Sequence, residues 1–313
     1  MNATPKTSII INTYNRAKLL QERSLPSALQ QLTSIPFEVI VVDDFSTDNT
    51  EEVVKKFQKK HGNLFYVKHE KNLGLAVSRN TGAQVARGEY IIFLDDDDFL
   101  VPYVAEIGAT VLDNLPERTV VIGGRVVINP EGSQYQPSPE LNAGSLYTTL
   151  DDGFIMRRSV FREIQYDADI LTNEDADFGI QYMQKFGFES ILPMNNCLLL
   201  KYGHQVGAAS SWSSPSERTF IGMDRYIKKN LKFYEENYKK TKDSNELEYI
   251  LRYMGRIYCQ GGKMKEGVPY LWKAVRLRPM KKNILLFLAA LVGHKFFKWF
   301  WVKAVKKART KEI

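Results

Sequence analysis

Five short runs of β-branched and other apolar residues recur between residues 6 and 129, and the stretches between them carry helical patterns. The runs read SIIIN, FEVIVV, LFYVK, YIIFL and TVVIGGRVVI, and the helical stretches cover residues 16–33, 48–60, 73–87 and 102–115. This alternation predicts an α/β fold with a mostly parallel sheet and helices packed on its faces. Ligands bind beyond the carboxyl ends of the strands in such sheets. The residues that follow each apolar run are therefore the first candidates for a functional site.

Four consecutive aspartates, Asp95 to Asp98, follow the fourth apolar run. Like charges this close raise one another's pKa values unless a cation is present. Asp95 and Asp97 offer carboxylate oxygens to Mg2+ or Mn2+, which hold few protein carboxylates and take phosphate oxygens as further ligands. The alternative is a solvated turn in which Asp98 caps the next helix.

Acidic and hydroxyl side chains also follow the second apolar run, namely Asp43, Asp44, Ser46, Thr47 and Asp48. A carboxylate at this position can accept hydrogen bonds from a ligand. The alternative is a turn whose acids serve the following helix. Asp48, with Glu51 three residues later, fits a capping box at the start of that helix.

Arg79 lies between the two acidic loops, on the helix predicted after Gly74. Its guanidinium could bind an anionic ligand. The alternative is a buried ion pair with one of the acidic clusters. Both interpretations place Arg79 in the same cleft as the aspartates.

Charge is distributed unevenly along the chain. The net charge is +7, but residues 281–313 hold nine lysines and arginines against Glu312 alone, so residues 1–280 are close to neutral. This asymmetry predicts that the C-terminal segment meets an anionic surface, either membrane or nucleic acid. Two isolated cysteines, Cys197 and Cys259, indicate a reducing compartment, and the N-terminus lacks the pattern of a secretory signal. We therefore expect a cytoplasmic protein.

The segments SIIINTYNR, EVIVVDDFSTDNT and NLGLAVSRNTGAQVARGEYIIFLDDDD resemble, in order and spacing, the family 2 glycosyltransferases of GT-A fold. The resemblance spans residues 7 to about 98. It implies that Asp44 binds the nucleobase and that Asp95 and Asp97 form the aspartate-x-aspartate metal motif. It also implies that the nucleotide-sugar is bound by Thr13, Tyr14, Asn15, Arg16, Asp44, Arg79, Asp95 and Asp96.

The second half of the chain carries a weaker part of the same resemblance. The segment LTNEDADFGIQYMQKFG looks like the family's Glu-Asp pair at the start of a helix, which implies that Asp175 is the general base and that Glu174 lies on the acceptor side. Without the upstream motifs, both acids would be explained as first-turn residues favoured by the helix dipole. His204 resembles a late histidine that contacts the metal or the diphosphate, and the alternative is a histidine with a purely structural role. Gly153 belongs to a segment that resembles the family's acceptor side. The chain departs from the family where an arginine is often found along this helix, because Gln181, Tyr182 and Gln184 stand there.

The resemblance implies an inverting transfer of a sugar from a nucleotide-diphosphate donor, a UDP-sugar, to a hydroxyl of a glycan or lipid-linked glycan in cell-surface polysaccharide synthesis. The implied cofactor is Mn2+ or Mg2+. The alternative function is a non-catalytic module that binds sugar nucleotides or acts as a scaffold. No recognised nucleic-acid-binding motif accompanies the basic tail, so no nucleic-acid partner is expected.

We expect a GT-A catalytic domain over residues 1–216, with a nucleotide-binding half at about 1–129 and an acceptor half at about 130–216. Residues 217–280 predict a helical hairpin similar to one tetratricopeptide helix pair. Such a hairpin could bind a protein partner or a second copy of the chain. Residues 281–313 predict a basic amphipathic tail, too short in its apolar part to span a bilayer. A helical wheel gathers the lysines on one face and Phe297 and Trp301 on the other. This pattern favours peripheral binding to the inner face of the cell membrane, and the alternative is docking on the hairpin.

Overall fold

The computed structural model describes residues 4–117, 119–129, 132–137, 154–202 and 217–309. The chain forms two compact units. The first comprises Met1–Ala168 with Glu174–Val206, and the second comprises Asp169–Asn173 with Gly207–Ile313.

The strands of the first unit are β1 Thr7–Thr13, β2 Phe37–Asp43, β3 Leu64–Lys68, β4 Tyr90–Asp95, β5 Phe99–Leu100, β6 Val120–Asn129, β7 Gly132–Gln136, β8 Phe154–Arg157 and β9 Ile191–Tyr202. Within the described residues they form one sheet in the order β3-β2-β1-β4-β8-β6-β9-β5, with β7 paired to β6. β3, β2, β1 and β4 are parallel to one another, and antiparallel pairs enter where β8 joins β4 and β6. The five predicted strands are all present.

The helices of the first unit are α1 Ala17–Leu19, which continues through a π-helical turn at Leu20–Ser24 into α2 Leu25–Leu29, then α3 Thr50–Gln58, α4 Leu75–Val85, α5 Val104–Asn114 and α6 Glu174–Phe186. Short 3-10 turns lie at Arg158–Arg162 and Phe188–Ser190. The predicted α/β architecture with flanking helices is therefore confirmed. The sheet is mixed rather than mostly parallel, because β5, β7 and β8 each join it through antiparallel pairs.

Burial explains why β1, β2 and β4 read as continuous apolar runs, whereas β3 at the sheet edge is only partly buried. Ile9, Ile10 and Ile11 of β1 are fully buried, because helices cover both faces of a parallel sheet. α4 approaches β1 closely at Gly82, where an added Cβ would come within 2.4 Å of Ile10 Cγ2. A glycine at this helical position therefore sets the spacing between helix and sheet.

The capping box predicted from Asp48 and Glu51 is wrong. α3 begins one residue later than that motif requires, with Asn49 at the N-cap. Asp48 instead accepts hydrogen bonds from the Thr50 amide (3.1 Å) and from the Ala17 amide (3.0 Å), so it joins the start of α3 to the start of α1.

The second unit contains α7 Glu217–Thr241, α8 Asn245–Gln260, α9 Met264–Leu277, α10 Lys281–Val292 and α11 His294–Arg309. α8 and α9 form the predicted hairpin around Gly261 and Gly262, and Gly262 has a φ of 81°. Gly267 allows close packing, because an added Cβ would lie 2.6 Å from Cys259 Sγ. The expected C-terminal helical region is confirmed.

The prediction that Phe297 and Trp301 form a membrane-binding face of α11 is wrong. Phe297 is fully buried in a core cluster with Cys259, Leu271 and residues of α10, and Trp301 packs against the same cluster. The Arg256 guanidinium lies 4.5 Å from the Trp301 ring centroid. The wheel gave the phase of the helix correctly but did not reveal that α8 and α10 cover its aromatic side. Over the described residues, no helix combines the length and the apolar content needed to span a bilayer.

Candidate active site

The carboxyl ends of three parallel strands bring the predicted site residues together. In the sheet register, Thr13 at the end of β1 pairs with Asp43 at the end of β2. On the other side of β1, Asn12 pairs with Asp95 at the end of β4. The acidic loops after β2 and β4 therefore flank the loop after β1, as expected for a parallel sheet.

The four-aspartate run combines buried and accessible carboxylates. Asp96 and Asp98 are 4% and 1% exposed, whereas Asp95 and Asp97 are half-buried. The alternative prediction, a solvated turn in which Asp98 caps the next helix, is therefore wrong. Tyr103 occupies the N-cap of α5, and the Asp98 carboxylate lies 3.7 Å from Lys201 Nζ.

Asp96 is held from two directions. Thr13 Oγ1 donates to one carboxylate oxygen (2.8 Å) and Arg16 Nη1 to the other (2.9 Å). Burial raises the pKa of the Asp96 carboxyl above its ordinary value, and the charge of Arg16 opposes that shift. The Asp96 side chain is thus fixed before any ligand binds.

Arg16 and Arg23 both contact the four-aspartate run at Asp97, and the sequence indicated neither contact. Arg16 Nη1 also contacts Asp97 Oδ2 at 3.0 Å, and Arg23 donates to the Asp97 carbonyl at 2.9 Å. The sequence does place both arginines just after β1, the neighbour of β4. Because β1 and β4 are parallel neighbours, residues that follow β1 lie close to the acidic loop that follows β4. This relation is the signal that could have revealed the two arginine contacts.

The two acids after β2 have different environments. Asp43 is fully buried and accepts from the Ser46 amide (2.7 Å) and the Tyr66 hydroxyl (2.5 Å), so it shapes the turn. Asp44 is 5% exposed and accepts from the Leu73 and Gly74 amides at 2.8 and 2.7 Å. The Asp44 carboxylate therefore holds the loop that leads into α4.

His69 adds a third contact to the Asp44 carboxylate. The distance from His69 Nδ1 to Asp44 Oδ1 is 2.8 Å, and the other ring nitrogen lies 3.0 Å from Thr81 Oγ1. Because Leu73, Gly74 and His69 already use its oxygens, any ligand contact at Asp44 has to share them.

Tyr14 and Asn15 form the rim after β1. The Tyr14 side chain is 46% exposed. Asn15 has a φ of 53°, a conformation that asparagine tolerates better than most residues. Its amide donates to Ser46 Oγ at 2.9 Å, and its side-chain oxygen accepts from the Thr47 amide at 2.8 Å. The loops after β1 and β2 are therefore joined.

Arg79 connects the four-aspartate run to α6. The side chain is 3% exposed, with Nη1 at 3.0 Å from Glu174 Oε1 and Nη2 at 3.7 Å from Asp95 Oδ1. Its guanidinium carbon lies 5.2 Å from the Tyr166 ring centroid. The buried ion pair weighed as the alternative for Arg79 is therefore present.

Asp175 lies in the first turn of α6, directly after Glu174. The side chain is half-buried, and Oδ1 accepts from the Ala176 amide at 2.8 Å. The Arg79–Glu174 pair thus places Asp175 next in sequence to a residue anchored at the four-aspartate run. Gly153 and His204 lie outside the described residues.

The carboxylates can hold a hard divalent cation. One oxygen from each of Asp95, Asp97 and Asp98 lies within 4.8 Å of the others. Carboxylate oxygens are the ligands that Mg2+ and Mn2+ prefer, and the half-buried Asp95 and Asp97 leave room for oxygens of a ligand. This donor set fits such an ion.

These features define an α/β protein with a cluster of fixed acids and arginines at the carboxyl ends of its parallel strands, a place suited to a phosphate-bearing ligand. The family described as glycosyl transferase family 2 matches residues 8–178, which is more than half of the chain. The chain belongs to this family, and the resemblance read from its N-terminal segments is confirmed.

Two curated relatives illustrate the similarity. An uncharacterized glycosyltransferase of Methanocaldococcus jannaschii is 25% identical over 186 residues, or 56% of this chain and 64% of that protein. TarS of Staphylococcus aureus, a poly(ribitol-phosphate) beta-N-acetylglucosaminyltransferase, is 32% identical over 184 residues, or 55% of this chain and 31% of TarS. The matched region thus spans less than two thirds of either relative.

The fold is similar to that of TarS in solved structures. The crystal structure of S. aureus TarS 1–349 in complex with UDP-GlcNAc has a TM-score of 0.55 to this chain at 20% identity, with 97% of this chain and 92% of that one covered. The GT-A expectation is thereby confirmed for the fold.

Proposed function

We propose that this protein is an inverting glycosyltransferase that moves a sugar from a nucleotide-diphosphate donor to an acceptor hydroxyl. The observation that carries the proposal is the bridge from Arg79 to Asp95 and Glu174. It joins the four-aspartate run, the proposed diphosphate site, to the helix that carries Asp175. Membership of glycosyl transferase family 2 supports the reaction class.

The proposed donor site lies at the ends of β1, β2 and β4. Tyr14 and Asn15 form its rim, Asp44 faces the base, and Asp96 contacts the ribose or the sugar. Thr13 and Arg16 already hold the Asp96 carboxylate at 2.8 and 2.9 Å, so the side chain loses little further freedom when a donor binds. The donor we propose is a UDP-sugar, because a protein of the same fold has been crystallised with UDP-GlcNAc.

We propose Mn2+ or Mg2+ as the cofactor, held by Asp95 and Asp97, with His204 as a further ligand. A divalent ion there would neutralise charge on the departing diphosphate. Arg16 contacts Asp97 at 3.0 Å and offers a second positive group on the same side.

Asp175 is the proposed general base, which takes the proton of the acceptor hydroxyl as its oxygen attacks the anomeric carbon. Attack from the side opposite the diphosphate inverts the configuration. Glu174 and Gly153 belong to the proposed acceptor side. Because Glu174 is ion-paired to Arg79, its role is to hold the start of α6 rather than to accept a proton.

For the acceptor we propose a glycan or lipid-linked glycan of cell-surface polysaccharide synthesis. The supporting relative is TarS, which is named as a transferase acting on poly(ribitol-phosphate). A lipid-linked acceptor fits a protein bound peripherally to the cytoplasmic face of the membrane, and we propose that location. The helical second unit remains a candidate site for a protein partner.

A donor screen tests the proposal. Thermal unfolding is measured with a panel of nucleotide sugars, each with and without Mn2+, and transfer is then measured with the donor that stabilises the protein most. Asp175→Asn should abolish transfer and leave the donor-induced shift nearly unchanged. Asp169→Asn, at an ion-paired aspartate whose side chain is 78% exposed, is the matched control and should keep full activity.

Two results would contradict the proposal. Full turnover in Asp175→Asn would remove this residue from the role of base. Donor binding with neither transfer nor hydrolysis, across acceptors, would favour the non-catalytic sugar-nucleotide-binding module instead.

A further inference from the structure

The outward side of α10 and α11 is an exposed apolar surface. Every residue from Ile284 to Val292 is apolar, yet only one side of α10 is covered. Leu286, Ala289 and Ala290 are buried in the core of the second unit. Exposed apolar residues continue from α10 onto α11, and we name as the α10–α11 surface Leu288, Leu291, Val292, Phe296, Trp299 and Val302.

Exposure on this surface is large for apolar side chains. Leu291 is 58% exposed, Val292 67% and Trp299 52%. Both helices turn their buried sides toward the same core cluster, so the bare sides both point away from it. A helix that is hydrophobic all round is normally covered on all sides. Large apolar side chains exposed together on two consecutive helices indicate an interaction site.

Lysines alternate with the aromatic residues along the exposed side of α11. Lys295, Lys298 and Lys303 are all exposed, and Lys303 Nζ lies 4.4 Å from the Trp299 ring centroid. No acidic residue occurs between Lys281 and Lys311. The occupant must therefore offer an apolar layer beside a dense negative charge.

We propose that the α10–α11 surface docks on an anionic lipid bilayer, with both helices lying in the plane of the interface. Leu288, Leu291 and Val292 would enter the boundary of the acyl chains, and Trp299 would lie at headgroup depth. The lysines extend their charged ends to lipid phosphates. This surface supplies the residues for the membrane association proposed above, and it does not depend on the catalytic assignment.

A second copy of the chain fits this surface less well. In a two-fold symmetric dimer the same patch faces itself, which would bring the lysines of both copies together with no acidic residue to neutralise them. An anionic membrane has the opposite charge and provides an apolar layer beneath it.

Vesicle flotation with the full chain tests the proposal. The vesicles contain phosphatidylcholine alone or a mixture with phosphatidylglycerol, and no nucleotide sugar is added. Binding is expected with the anionic vesicles only. It should weaken when salt is raised from 0.1 to 1 M, because the screening length falls from about 10 to about 3 Å.

Two variants identify the apolar contribution. Leu291→Asp should weaken binding about tenfold or more, since a buried leucine contributes that much to partitioning. Leu32→Asp is the matched control, because Leu32 is 72% exposed in the first unit, and it should bind as the wild type does. Val292→Asp repeats the test at a more exposed position, and circular dichroism verifies that each variant is folded.

A triple charge reversal tests the lysines. Lys295→Glu, Lys298→Glu and Lys303→Glu together should weaken binding by at least about a hundredfold, at roughly fivefold for each lysine near the surface. The control variant carries the same reversal at Lys56, Lys59 and Lys60, which are exposed at the end of α3 and just beyond it. It has the same net charge as the first triple variant and should weaken vesicle binding much less.

Three results would overturn the proposal. They are equal binding to both kinds of vesicle, unchanged binding by folded Leu291→Asp, and a concentration-dependent dimer that Leu291→Asp abolishes without any vesicle binding. Transfer to an acceptor in solution, measured without vesicles, separates the two proposals. A variant that loses vesicle binding and keeps this transfer affects the membrane surface alone.

Discussion

Replacing Arg79 with glutamine should destabilise the first unit by about 3–5 kcal/mol, the usual cost of removing one partner from a buried ion pair. Arg79 is 3% exposed and the Glu174 side chain 13% exposed, so water cannot substitute for the guanidinium. Arg79 and Glu174 are 3.0 Å apart. At an effective dielectric constant of 20, two unit charges at this distance attract by about 5.5 kcal/mol. Glutamine loses this attraction while the acid stays buried.

A double-mutant cycle isolates the bridge. If Arg79 and Glu174 act as a pair, the variant Arg79→Gln/Glu174→Gln should cost less than the sum of the two single changes, by about 1–3 kcal/mol. Lys185→Gln is the matched control, since Lys185 forms a 2.9 Å ion pair with Glu163 in which both side chains are about half exposed. That exposed pair should contribute little to stability, because water screens both charges.

Urea unfolding measures these changes. All four tryptophans lie at residue 212 or beyond, so tryptophan fluorescence follows the second unit and circular dichroism follows both. Arg79→Gln should move the circular dichroism transition and leave the fluorescence transition nearly unchanged. A loss no larger than that of Lys185→Gln, or strictly additive single changes, would refute the bridge.

Further predictions concern the second unit, the helix–sheet contact and the loop before α4. Burial raises the pKa of Glu246 to about 7, so its stabilising contribution is complete below pH 4.5 and is lost as the pH rises through 7. Glu246→Gln should therefore stabilise the fluorescence-monitored transition at pH 8 by up to about 3 kcal/mol and not at pH 4. Gly82→Ala should destabilise by about 1–3 kcal/mol in urea unfolding, because overlap with Ile10 outweighs the gain in helix propensity; a gain in stability would contradict the packing. Asp44→Asn should lower the free energy of unfolding by about 1–3 kcal/mol in the same assay, because the new side-chain NH2 would face the backbone N–H of Leu73 or Gly74. An unchanged transition would show that other contacts hold the loop.

The candidate site combines groups that attract one another strongly before any ligand is present. Arg16 joins Asp96 to Asp97, and Arg79 joins Asp95 to Glu174. Such pairs limit the motion of the carboxylates, which favours binding of a charged donor at a fixed position. They also place two guanidinium groups among the acids, so the cluster is less negative than a bare run of aspartates.

Spacing in the sequence was enough to predict the strands of the first unit and the acidic residues at their carboxyl ends. Apolar runs such as SIIIN and YIIFL are buried strands because a parallel sheet covered on both faces requires continuous apolar residues. The position of the four-aspartate run at the carboxyl end of the sheet could be predicted, because the run directly follows such a strand. These features are local, so they can be read from spacing alone.

Spacing could not reveal which of the aspartates are buried, which arginines contact them or which side of α11 is exposed. Arg79 and Glu174 are 95 residues apart in sequence, and Arg16 and Asp96 are 80 apart. Periodicity gives the phase of α11 but does not show that neighbouring helices cover Phe297 and leave Trp299 exposed. Contacts between distant segments depend on which faces meet, and the side-chain pattern of one segment does not contain that information.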